Sequence, residues 1–299
     1  MGHQDEPTTP FGGEEAARDL VDAAVAVLPV PYEGTVSYGA GASRGPAAIL
    51  HASEQIELYD DEMGAEPYRV GIHTAAPLTV SADDPPDRIV AAVTARCGEL
   101  MDAGKWVVTL GGEHSITPGA VRAAHERHPG LRVVQLDAHA DLRDRYEGTP
   151  CNHACAMARC LEMAPVTGIG IRSYSVEEAE RIREGIPGHR MIHAWEMDGD
   201  DWHDRALDGL GDAPLYLTVD VDYFDPAIVP ATGTPEPGGG RYRPTLRFLE
   251  RLFREGRVVA CDVVELAPIP GLHHADFTVA RLVYKLIGFA FRDRLDRRP

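Results

Sequence analysis

The chain has 299 residues, 44% hydrophobic and 25% charged, proportions that exclude a disordered or fibrous polypeptide and fit one α/β sheet. Its net charge of −18, from 29 basic and 47 acidic residues, repels nucleic acid and attracts cations, so no nucleic-acid partner is expected. It contains no apolar run of about 18 residues, which excludes a membrane-spanning helix, and residues 1–10 lack the basic start and apolar middle of a signal peptide; the expectation is a cytoplasmic protein with no membrane partner.

In chain order, residues 1–22 read as a leader with a short helix at 14–20. An apolar run at 23–30 gives the first strand. It leads through Pro31-Tyr32-Glu33-Gly34-Thr35 into a Gly-rich loop (Gly39, Gly41, Gly45), and Pro46 opens a helix. Residues 68–72 form a second short strand. A helix at 85–103 is bounded by Pro85 and Gly104, and strand 106–110 ends in Gly111-Gly112-Glu113-His114-Ser115. Then follow helix 118–128, strand 131–136, helix 152–163, strand 166–171, helix 176–184 and strand 191–193. Helix 202–210, strand 215–219, helix 245–255, strand 258–264 and helix 277–291 complete the chain. Strands alternating with helices argue an α/β fold, with a mostly parallel sheet carrying helices on both faces. With no repeat or linker, residues 1–299 are expected to form a single domain. The five cysteines (Cys97, Cys151, Cys155, Cys160, Cys261) are odd in number and show no C-x-x-C spacing, so reduced thiols are expected rather than a disulfide or zinc framework.

The chemistry gathers just past the apolar strands. After strand 131–136 come Asp137, His139 and Asp141, at alternate positions that extended chain turns to one side. His114 follows an earlier strand, and Asp220 and Asp222 follow a later one. Open α/β sheets place ligands at these carboxyl ends. Four carboxylates and two imidazoles with no thiolate favour manganese-like ions. Shared between two ions, they leave room for a bridging water that becomes a nucleophile near neutral pH. For Asp220 alone, a helix N-cap is the competing reading.

Three stretches resemble the signatures of the ureohydrolases, the arginase/agmatinase family: Gly111-Gly112-Glu113-His114-Ser115, Asp137-Ala138-His139-Ala140-Asp141 and Asp220-Val221-Asp222-Tyr223-Phe224-Asp225-Pro226. The likeness extends from Val27-Leu28-Pro29-Val30-Pro31-Tyr32 to the last helix and includes Pro230-Ala231-Thr232-Gly233-Thr234-Pro235 and Asp262-Val263-Val264-Glu265. It implies a three-layer α/β/α sandwich, a homotrimer or homohexamer, and a hydrolase with two Mn2+ per subunit that splits a cationic guanidino small molecule by attack of a metal-bridging hydroxide. Carried over, one ion is held by His114, Asp137, Asp141 and Asp220, and the other by His139, Asp137, Asp220 and Asp222. The resemblance also makes Glu265 the partner of the substrate guanidinium and His153 the proton shuttle to the leaving amine.

The loop between Leu142 and His153 bears on the substrate. It has Arg143 and Thr149-Pro150-Cys151-Asn152 where arginases carry polar groups for an amino acid's carboxylate. Asp144 and Glu147 would suit a distal ammonium instead, and Glu147 and Asn152 are the candidate substrate contacts. Agmatine, cleaved to putrescine and urea, is therefore the expected substrate. Guanidinobutyrate and arginine remain open, since Arg143 would also bind a carboxylate, and so does aminopropylagmatine, since a longer polyamine keeps the same reacting end. A metal-binding regulatory subunit without turnover is the competing class. A binuclear phosphoesterase fits less well, because such sites bring basic groups for phosphate.

Overall fold

The computed structural model describes residues 9–199 and 201–295. Its strands are β1 (Val25–Val30), β2 (Ile72–Thr74), β3 (Trp106–Gly111), β4 (Arg132–Leu136), β5 (Val166–Ile171), β6 (His189–His193), β7 (Pro214–Asp220) and β8 (Arg257–Val264). They form one eight-stranded sheet in the order β2-β1-β3-β8-β7-β4-β5-β6, and every pairing is parallel. Between and after them run α1 (Gly13–Ala16), α2 (Gly45–Ser53), α3 (Pro86–Asp102), α4 (Thr117–Arg127), α5 (Ala156–Leu161), α6 (Val176–Glu184), α7 (Trp202–Leu207), α8 (Tyr242–Glu255), α9 (His274–Ala290) and α10 (Arg292–Leu295).

A parallel sheet buried on both faces needs strands apolar at nearly every position, and β1, β5 and β7 are buried throughout. The pleat divides each strand between two cores. Val25, Val27, Val108, Leu110, Leu217 and Val263 pack with α2, α7, α8 and α9. Ala26, Leu28, Val30, Val107, Val133 and Ala260 pack with α3, α4 and α5 on the opposite face. The result is the expected three-layer α/β/α arrangement. No helix among the described residues is long and apolar enough to cross a membrane, and all five cysteines are free thiols.

Several local expectations shift: the helix expected at 14–20 is only Gly13–Ala16, and that expected at 152–163 is a 3-10 turn followed by the shorter Ala156–Leu161. Residues 67–70 are a 3-10 turn, and the strand begins only at Ile72, because Pro67 opens the turn and Gly71 (φ 82°) ends it. Helix α9 starts at His274, three residues before the apolar periodicity suggests.

For the site, the decisive feature is strand order. β3, β8, β7 and β4 are neighbours in the middle of the sheet, so their carboxyl ends lie side by side. The tip of β3 also meets the segment after β1. Gly112 N donates to Val30 O and Glu113 N to Tyr32 O, both at 2.9 Å. A Cβ on Gly112 would collide with the Tyr32 carbonyl, so only glycine permits this approach.

Candidate active site

Each candidate ligand leaves one of those four strand tips. His114 opens a 3-10 turn shortly after β3, Asp137 directly follows β4, Asp220 is the last residue of β7, and Glu265 directly follows β8. Asp222 lies in the 3-10 turn after Asp220. The alternation after β4 does not continue as straight extended chain: Asp141 takes a left-handed conformation (φ 52°), turning the segment back toward β3.

Two groups result. His114 Nδ1 lies 3.1 Å from Asp137 Oδ2, 3.0 Å from Asp141 Oδ2 and 3.4 Å from Asp220 Oδ2. His139 Nδ1 lies 2.9 Å from Asp222 Oδ2 and 3.7 Å from Asp137 Oδ1. Asp137 thus faces both groups, one oxygen to each. It is steadied by Gln135 Nε2 on Oδ2 at 2.8 Å and by the His139 amide on Oδ1 at 2.6 Å. Asp220 serves both readings made of it. Its Oδ1 accepts from Asp222 N at 2.9 Å, as a cap does, while Oδ2 faces His114.

The electrostatics are those of a crowd. Burial, followed by the neighbouring carboxylates, pushes Asp137 and Asp220 above the usual aspartate range. Burial acts on Asp222 in the same direction, but the His139 imidazole outweighs it and holds Asp222 low. Glu265 is raised by burial and by the Glu113 carboxylate nearby. His114 is pressed down by burial, yet the carboxylates of Asp137 and Asp141 lift it well above an ordinary histidine.

These residues fit divalent cations. His114 Nε2 is taken up by Thr218 Oγ1 at 2.9 Å, which turns Nδ1 toward three carboxylate oxygens. Although buried, Nδ1 has no aligned hydrogen-bond partner. A lone pair and several anionic oxygens converging on one point call for a cation. Oxygen and imidazole donors without thiolate suit hard or borderline ions. His114, Asp137 and Asp141 form one group able to hold an ion, and Asp137, His139 and Asp222 form another.

His114, Asp141, His139, Asp222, Asp220 and Glu265 floor a cavity of about 150 Å3, walled by His153, Tyr38, Tyr146 and Tyr174 among others. His153 belongs to a 3-10 turn (His153–Cys155) and lies edge-on to Tyr146. Arg143 also lines the cavity. Its guanidinium stacks over the Tyr146 ring at 4.6 Å, and its Nε lies 3.7 Å from Glu178.

Two expected substrate contacts are not brought to this wall. Glu147 is exposed at the tip of a hairpin turn, where it (φ 45°) and Gly148 (φ 85°) join Tyr146 to Thr149 in type I′ fashion. Asn152 is buried and caps the His153 turn, its Oδ1 accepting from Ala154 N at 3.0 Å. Asp144 is likewise engaged elsewhere, with Arg159 at 2.9 Å. Sequence reasoning missed Thr35, Glu113, Thr218 and Glu178. Two of them carried a local signal: Glu113 stands inside the stretch 111–115, and Ser175 three residues before Glu178 is a capping-box spacing, and that box is formed.

Residues 23–288 match the model of the Arginase family. The N(1)-aminopropylagmatine ureohydrolase of Synechocystis sp. is 44% identical over 287 residues, covering 93% of each chain. The agmatinase of Pyrococcus horikoshii is 33% identical over 285 residues, covering 94% of this chain and 97% of its own. Among solved structures, the agmatine ureohydrolase of Thermoplasma volcanium superimposes with a TM-score of 0.87 at 30% identity, over 98% of both chains.

Proposed function

The chain belongs to the arginase family and is a ureohydrolase; from that premise we propose that it removes urea from a linear guanidine with a cationic tail, N1-aminopropylagmatine first and agmatine second, using two Mn2+ ions. The observation that carries this reading is the meeting of His114 Nδ1 with three carboxylate oxygens within 3.4 Å, on the same cavity floor as Glu265.

A guanidinium carbon is a poor electrophile, because three nitrogens feed electrons into it. Divalent cations bound at the two groups supply the missing power by lowering the pKa of water, giving a nucleophile near neutral pH. The chain's residues do the rest. Glu265 offers two oxygens to the guanidinium fork and so fixes the reacting carbon over the floor. The incoming cation also supplies the countercharge that its half-buried carboxylate lacks. His153, in the wall, handles the proton for the leaving amine.

Reading the sequence alone puts agmatine first. The order changes here because the aminopropylagmatine relative is 44% identical and the agmatinase 33%. The walls also favour a cation: three tyrosines and Glu178 line the cavity, and the Arg143 charge is engaged by Tyr146 and Glu178. Agmatine stays as the second reading on the 0.87 superposition with an agmatine ureohydrolase. Urea release from aminopropylagmatine, agmatine, guanidinobutyrate and arginine by the manganese-loaded protein tests the proposal. The expected order of kcat/KM is the order just given. Arginine or guanidinobutyrate at the top would overturn the substrate choice, and silence on all four would favour a regulatory metal-binding subunit.

A further inference from the structure

Behind His153 lies a chain of polar groups that plays no part so far. Thr35, almost fully buried, ends the segment that leaves β1, and Glu113, fully buried, lies just past β3. Thr35 Oγ1 donates to Glu113 Oε1 at 2.7 Å, and Thr35 N donates to Glu113 Oε2 at 2.7 Å. Ser115 Oγ adds a further donor to Oε1 at 2.5 Å. On its other side, Thr35 Oγ1 lies 3.1 Å from His153 Nδ1 and also receives the His153 backbone N–H at 3.1 Å. Three separate segments, after β1, after β3 and before α5, are thus tied together at one hydroxyl.

A proton inventory then fixes the histidine. A threonine hydroxyl has one proton and two lone pairs. A carboxylate only accepts, so the hydroxyl proton points to Glu113. A backbone amide only donates, so it takes one lone pair. The remaining lone pair faces His153 Nδ1, and that nitrogen must carry the hydrogen. Nε2 is then left bare on the side of the ring away from Thr35, and His153 forms part of the cavity wall.

We propose that Thr35 and Glu113 are positioning residues for hydrolysis: they lock His153 as the Nδ1–H tautomer, so that Nε2 takes up a proton and delivers it to the departing nitrogen. This rests on the ureohydrolase reading above and deepens it. The balance closes. Water oxygen bonds to the guanidinium carbon, and the bond from that carbon to the alkylated nitrogen breaks with its electron pair going to nitrogen. Both water protons end on that nitrogen, at least one of them by way of Nε2, so guanidinium plus water becomes ammonium plus urea. Thr35 and Glu113 stand to His153 as the orienting acid of a hydrolytic triad stands to its histidine, with a hydroxyl interposed. Asn152 belongs to the same device, since its cap on Ala154 N starts the turn that presents the ring.

The test uses the full chain and three forms of residue 35: the native threonine, Thr35→Val and Thr35→Ser. Long-range 1H–15N spectra of 15N-histidine-labelled, magnesium-loaded protein report the tautomer, the His153 signal being assigned by its loss in His153→Asn. Native protein is expected to show Nδ1–H. Thr35→Val should lose that signature and drop kcat for urea release by about 100-fold, with KM within about twofold and manganese content unchanged. Thr35→Ser should restore both the spectrum and the rate. An Nε2–H signal in native protein, native kcat in Thr35→Val, or a Thr35→Ser variant as inactive as Thr35→Val would each overturn the relay. Loss of manganese in Thr35→Val would do so too, by moving the effect to the metal groups. If native protein releases no urea from any guanidine, the functional reading falls alone, and the tautomer spectrum still decides the relay.

Discussion

Glu265 combines two unfavourable features: a half-buried carboxylate raised by its surroundings and a left-handed backbone (φ 67°). Such conformations cost on the order of 1–3 kcal/mol each and persist where the surroundings over-determine them. What holds Glu265 is the His114 amide on Oε1 at 2.6 Å and its own N–H on Gly112 O at 2.7 Å. Glu265→Gln keeps that shape but replaces one acceptor with an NH2 that opposes the guanidinium. The expected outcome is a fall of about 100-fold in kcat/KM for every guanidine, read by urea release, with folding unchanged by circular dichroism. The loop before His153 separates the sequence reading from the structure in the same way. Asn152→Ala removes a cap, so it should cost about 1 kcal/mol in denaturant unfolding and lower kcat while leaving KM alone. A substrate contact would do the reverse and raise KM. Glu147→Asn, at an exposed turn position that suits asparagine, should alter neither parameter. Nothing in the sequence tells a polar loop residue that faces a ligand from one that closes a turn, because both uses favour the same residue types.

At the scale of elements, the edge strand β6 carries an acid-sensitive group. Burial, and then the Arg181 charge, lowers His189 to about 4 from the ordinary value of 6.5. A histidine with a depressed folded pKa binds its proton more readily when unfolded. Its contribution is therefore complete above about pH 6.5 and is lost as the pH falls toward 4. His189→Gln should flatten the decline in unfolding free energy across that window, by on the order of 2 kcal/mol relative to native. Equal slopes in the two proteins would remove His189 as the cause. The strands themselves were legible from their apolar runs, since a parallel sheet covered on both faces permits little else. β2 was not: it is three residues long, and a proline and a glycine shape the turn before it. The candidate ligand types and the strand tips that carry them were legible as well. The neighbours that steer His114 and His153 were not, because Thr218 and Glu113 reach their partners across strands or segments far apart in sequence.

The molecule as a whole is organised against its own functional centre. One continuous sheet, with an apolar core on each face, holds Asp137, Asp141, Asp220 and Asp222 together in near-complete burial, where they repel one another. Without cations this cluster opposes folding; with them it favours the native state, because ions that bind only the folded chain stabilise it by mass action. Manganese at about 100 times its dissociation constant adds about 2.7 kcal/mol for each ion bound, which in a chain of this size raises the melting temperature by roughly 5 °C per ion. Chelation should reverse that rise and stop urea release together. Asp137→Asn gives the sharper test, since Asp137 faces both groups and removing its charge relieves both. The variant should melt higher than the metal-free native protein, no longer respond to manganese, and release no urea. A variant that melts lower than metal-free native protein would mean that the carboxylate stabilises the fold through its hydrogen bonds from Gln135 and the His139 amide, and that crowding of charge at the sheet's centre is not what the cations relieve.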